Sequence, residues 1–133
     1  HTSQNRAINR HQWHLENLMA TFADASSVHT QVFNALKNLI MIRKQQPAFH
    51  PNATQFTLHL GNALLGFWRQ SLDRRQRLFC VHNVSNVRQV LPLSSLNLLV
   101  NQPWRELLSD QPIEESLSEW LLEPYQTLWI TNV

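Results

Sequence analysis

Apolar residues recur along the first third of the chain with the period of a helix, and along the rest with the period of a strand. Leu15, Leu18, Met19 and Phe22 fall at i, i+3, i+4 and i+7, which predicts a helix over about His11 to Ala23. Asn9 is a candidate cap, with Gln12 three residues on. Asp24-Ala25-Ser26-Ser27 breaks the pattern and caps a second helix, from about Val28 to Gln45, with Val28, Val32, Leu36, Leu39 and Ile40 as its main stripe. The end of that helix differs, because Leu39-Ile40-Met41-Ile42 is apolar on all sides and calls for cover on more than one face. Arg43 and Lys44 close it where cations favour the dipole, and the prolines of Gln46-Pro47-Ala48-Phe49-His50-Pro51 stop it.

From Thr54 onward the period falls to two. Phe56, Leu58 and Leu60 face one way and Gln55, Thr57 and His59 the other, as in a half-buried strand. Gly61-Asn62 turns the chain into a second strand, Ala63 to Arg69, and Ser71 to Arg75 makes the next turn. Arg77 to His82 is a continuous apolar run suited to a central strand. After a turn at Asn83–Asn86, Arg88 to Leu91 reads as a short edge strand stopped by Pro92. Leu96 to Val100, Trp104 to Leu108 and Tyr125 to Ile130 are later candidates, and the carboxylates from Glu106 to Glu123 sit on or near a polar, loop-rich stretch. The expected class is α+β: a two-helix segment over 1–50, then an antiparallel sheet or sandwich over 51–133.

A chain 43% hydrophobic and 15% charged has enough apolar material for a core and too little charge for a disordered tail. Charge is uneven: residues 1–105 carry a count of +8 and residues 106–133 a count of −6. The basic residues are scattered except at Arg74-Arg75-x-Arg77, which fits a solvated turn, so no nucleic-acid partner is expected. No apolar stretch approaches the ~20 residues of a membrane span, and the polar first ten residues do not resemble a leader peptide. Cys80 is the only cysteine, which fits a cytoplasmic protein, and its apolar neighbours make it a buried hydrophobe.

The residues that carry chemistry elsewhere are poorly placed here. His11 and His14 share a helix face without a third ligand, and His50 and His59 stand alone, so no metal is expected. Glycoside chemistry needs two facing carboxylates. Glu106, Asp110, Glu114, Glu115, Glu119 and Glu123 crowd one late polar stretch and read as a solvated acidic face. With only Gly61 and Gly66 there is no phosphate-binding glycine loop. Trp68, Trp104, Trp120, Tyr125 and Trp129 are read mainly as core, with Tyr125 and Trp129 on one face of the last strand. The rival reading makes them the sugar-stacking platform of a carbohydrate-binding module. The triplets Asn52-Ala53-Thr54 and Asn83-Val84-Ser85 read as turn chemistry.

Arg6-Ala7-Ile8-Asn9-Arg10 and the run from Leu39 to Ala53 resemble the end of the catalytic barrel in the α-amylase superfamily, nearest its sucrose-phosphorylase-like branch. Phe67-Trp68-Arg69-Gln70-Ser71, Cys80-Val81-His82-Asn83-Val84-Ser85 and Pro124 to Ile130 resemble that branch's C-terminal domain. The resemblance implies a parent that transfers glucosyl units between a sugar and phosphate with barrel carboxylates that this chain lacks. It implies that this chain holds no catalytic residue and no cofactor, and that its partner is the parent's own barrel. The family's first Arg in the Arg-Asp-Ile-Asn-Arg motif contacts the bound glucosyl ring. Arg6 aligns with it, so Arg6 is the one substrate-binding candidate, acting only in the intact parent, although Ala7 stands where the family has Asp. Cut from the barrel, the second helix should expose an apolar face through which the chain forms a homodimer.

Overall fold

Two helices lead into an antiparallel sheet in the computed structural model, which describes residues 12–98 and 102–133. The expected strand at Leu96–Val100 and the contacts of Asn9 and His11 fall partly or wholly outside those residues. The chain divides into two units, His1–Ile40 and Met41–Val133.

In the first unit, α1 spans Leu15–Ala23, starting later than the stripe alone predicted, with His14 in extended conformation at its N-cap. Asp24 then takes Ser26 N–H and Oγ–H on its Oδ1, at 2.9 and 2.7 Å, which turns the chain into α2, Val28–Lys44. Phe22 and Phe33 pack with ring centroids 4.8 Å apart. Thr30 donates to the Thr21 carbonyl at 2.7 Å and is the buried residue of α2. Helix α2 stops because Pro47 lacks an N–H and forces Gln46 to φ −100°, ψ 110°.

The second unit holds a six-stranded antiparallel sheet in the order β1-β2-β3-β8-β5-β6 and a two-stranded sheet, β4-β7. The strands are β1 Thr54–His59, β2 Leu64–Gln70, β3 Arg77–Asn83, β4 Gln89–Pro92, β5 Trp104–Glu106, β6 Gln111–Ile113, β7 Glu119–Leu122 and β8 Thr127–Thr131. The apolar run in β3 is central as its composition required, with β2 on one side and β8 on the other. Gly61, at φ 88°, supplies the left-handed turn between β1 and β2.

One face of the large sheet carries Leu64, Phe79, Val81, Leu128 and Ile130 into the core. Leu91 of β4, Leu122 of β7, and Leu93 and Leu96 of the 3-10 turn Leu93–Leu96 cover it from the other side. Leu78, Val81, Leu91, Leu122 and Ile130 are fully enclosed, each worth about 1.5–3 kcal/mol of burial. The small sheet does not reach the β1 edge, where Phe56 stays 54% exposed although its strand pattern pointed it inward.

Four sequence expectations need correction. Leu96 does not begin a strand; it ends a 3-10 turn, and Asn97 follows at φ 49°. The late polar stretch holds two strands that the pattern did not predict, β6 and β7. Tyr125 is not a buried strand residue: it sits 70% exposed in a turn at φ 60°, and β8 begins at Thr127. Glu106 is not solvated; it is 2% exposed.

Candidate functional site

The segment that joins helix to sheet is fastened by two side chains. Gln76, buried just before β3, takes the Ala48 N–H on its Oε1 at 2.8 Å. Its Nε2 donates to Gln46 Oε1 at 2.6 Å and to Thr131 Oγ1 at 3.2 Å. Arg69 of β2 donates to the carbonyls of Ala48 at 2.7 Å and His50 at 2.9 Å, and to Gln55 Oε1. Phe49 lies edge-on to Trp129 at 4.9 Å, with the Arg69 and Arg43 guanidinium groups over its ring. Proline geometry sets the path of 46–50, and the sheet then supplies partners for its backbone groups. Nothing in the local pattern around Gln76 marked it, because its partners are 28 to 55 residues away in sequence.

Three of the six late carboxylates hold turns or surface ion pairs, while Glu114, Glu115 and Glu119 are exposed and line open surface clefts. Glu106 takes Ser109 N–H and Oγ–H on Oε2, each at 2.7 Å, and Trp129 N–H on Oε1 at 2.9 Å. It therefore pins the turn after β5 to β8. Glu123 pairs with Arg88 at 2.8 Å, and Asp110 with Arg105 at 3.1 Å, both at the surface. Asp73 takes the Ser71 hydroxyl and the Arg75 N–H, and these hydrogen bonds hold its carboxyl below the usual range. The spacing Glu106-x-x-Ser109 was the available signal for the buried carboxylate.

The histidines are spread out, and no group of three metal-ligand side chains forms among the described residues. His14 ends at the α1 cap, His50 accepts the Asn52 N–H at 3.1 Å, and His59 is exposed on β1. His82 is half-buried, with Nδ1 2.9 Å from Thr127 Oγ1, and burial lowers its pKa. Burial also pushes the Cys80 thiol up to about 12, against the opposing pull of Arg69. Asn83 is turn chemistry as read: it donates to the carbonyls of Val87 and Glu123 and accepts Ser85 N–H. Arg6 lies outside the described residues.

Trp104 and Trp129 are buried, and Trp120 packs half-buried against the core. Trp68 is half-buried at the open β1–β2 end, stacked on Phe56 at 5.3 Å and 13°. On α2, Val28, Val32, Phe33, Leu36, Ile40 and Met41 are each between 48% and 70% exposed. No helix among the described residues is long and apolar enough to cross a membrane.

No family model matches the chain. It is similar to the glucosylglycerate phosphorylase of Allomeiothermus silvanus, 31% identical over 127 residues, covering 96% of this chain and 20% of that protein. The glucosylglycerate phosphorylase of Spirochaeta thermophila is 28% identical over 88 residues, covering 66% of this chain and 15% of that protein. That of Escherichia coli is 28% identical over 127 residues, covering 95% and 21%. The chain thus spans about a fifth or less of the length of these curated relatives. Among solved structures, a family 27 β-L-arabinopyranosidase from Geobacillus stearothermophilus aligns over 62% of this chain and 20% of its own, at 17% identity and a TM-score of 0.48. The three phosphorylases agree with the motifs: the chain fits the C-terminal region of a sucrose-phosphorylase-like enzyme of the α-amylase superfamily.

Proposed function

We propose that the chain is the non-catalytic C-terminal domain of a sugar phosphorylase, and that it packs on and stabilises that enzyme's catalytic barrel. The observation that carries this reading is the uncovered apolar side of α2, from Val28 to Met41. Covering those six side chains would contribute on the order of 5–10 kcal/mol. The length of the relatives supports it, since each holds several times more chain than this one. Three of the six late carboxylates support it too, because Glu106, Asp110 and Glu123 are engaged in holding turns and surface ion pairs. In this reading Arg6 reaches the glucosyl ring only when the barrel is present, the domains divide near residue 50, and the enzyme works in the cytoplasm. Separated from its barrel, the chain pairs with a second copy through the same helix face.

The test is to express the chain and the catalytic portion of its parent as separate polypeptides. Co-elution on mixing, with a higher melting temperature for the catalytic portion, is the expected result. Leu36→Glu with Ile40→Glu should abolish both effects and return the isolated chain to a monomer. Catalytic portions that melt identically with and without the chain would overturn the proposal.

A further inference from the structure

The aromatic residues of the large sheet's inner face run past the edge of their cover. In β1 and β2, Phe56 pairs with Trp68, and in β2 and β3, Trp68 pairs with Phe79. Strand neighbours directly opposite share a face, so the three rings form one stripe across the sheet. Phe79 is enclosed, Trp68 half-buried and Phe56 exposed, so the stripe emerges from the core as it approaches the β1 edge.

A cleft of about 390 Å³ opens there, between this end of the sheet and the 3-10 turn Leu93–Leu96. Leu58, Trp68 and Phe79 give it an apolar floor, and Arg77, Ser95 and Asn97 supply polar groups. Those groups are largely uncommitted. Among the described residues the side chains of Ser95 and Asn97 take part in no hydrogen bond, and Arg77 uses one guanidinium N–H, on Gln102 Oε1 at 3.2 Å. The indole N–H of Trp68 is buried and has no acceptor, the only such buried side-chain atom among the described residues. Asn97 is held at φ 49°, a left-handed conformation that places it at the end of the turn beside the cleft.

We propose that this cleft binds one pyranose unit of a neutral saccharide, stacked on the Trp68–Leu58 floor and hydrogen-bonded by Arg77, Ser95 and Asn97. An aromatic floor suits the C–H face of a sugar ring, and a few converging polar groups suit its hydroxyls. Such a site holds no catalytic carboxylate. It would tether a sugar to the β-domain at a place separate from any barrel chemistry, and it stands whether or not the chain packs on a barrel.

The experiment is a nuclear magnetic resonance titration of the whole chain, following its five indole N–H signals and the Ser95 and Asn97 amides. The probes are methyl α- and β-glucopyranoside and methyl β-galactopyranoside, with glycerol as the non-cyclic control. A saturable shift of the Trp68 indole signal and of both amides, with a dissociation constant in the millimolar range, is the expected result. Ser95→Ala with Asn97→Ala lies outside the core and should weaken binding about fivefold or more. Trp68→Ala removes the aromatic floor and should weaken it further. The proposal is overturned by the absence of any shift up to about 50 mM sugar, by equal shifts with glycerol, or by binding that the Ser95/Asn97 variant leaves unchanged.

Discussion

Replacing Gln76 by Leu isolates the fastening of the helix–sheet junction. Leucine is apolar and of similar bulk, and the site is 2% exposed, so much of the packing is kept while three hydrogen bonds disappear. The losses are unequal. Gln46 is half-buried and its freed amide oxygen can turn to water, while Thr131 still donates to the Arg77 carbonyl at 2.9 Å. Ala48 is 0% exposed, so its N–H is left buried without an acceptor. That single orphan costs about 1–3 kcal/mol. With a smaller loss at Gln46 the whole change should reach about 2–3 kcal/mol. Hydrogen exchange reads it at the atom concerned. At about 1.4 kcal/mol per tenfold, the Ala48 amide should exchange roughly thirtyfold to a hundredfold faster. Amides in the middle of β3 should change only as far as global stability falls. If Ala48 exchange rises less than about threefold, the buried N–H has found another partner and the reasoning is wrong.

Glu106→Ala should destabilise the second unit by about 3–5 kcal/mol, measured by urea unfolding, because it strands the N–H groups of Ser109 and Trp129; Glu106→Gln should cost less, since an amide still accepts at one end. Burial lowers the pKa of His82 in the folded chain below its ordinary value of 6.5. The unfolded chain therefore takes up a proton first as pH falls, so the contribution is intact above 6.5 and is lost as pH falls from there through the lower folded value; His82→Gln should flatten this part of the stability–pH curve. Gly66→Ala should cost about 1–3 kcal/mol in thermal unfolding, because an added Cβ would sit 2.4 Å from Leu60 Cδ1 and 3.3 Å from Leu58 Cβ. A melting temperature unchanged by that substitution would mean that Leu60 moves aside freely.

Much of the architecture was written locally. The 3.6-residue stripes of α1 and α2, the proline stop at Pro47, the alternation in β1 and the glycine at the first hairpin each depend on neighbours a few residues away. Such features follow from backbone geometry and side-chain period alone, so the sequence determined two helices followed by antiparallel strands, and its motifs pointed to the family. What only the tertiary structure decided were the partners far along the chain. Strand β4 leaves the large sheet to pair with β7, and β8 inserts between β3 and β5. The three-residue strands β5 and β6 are too short to show a period. Glu106 and Gln76 look like surface residues in the sequence because polarity is local, whereas burial depends on which backbone groups the fold brings to them. Tyr125 and Phe56 show the converse: apolar character marks a residue as able to be buried, and only the finite reach of the small covering sheet determines which ones are.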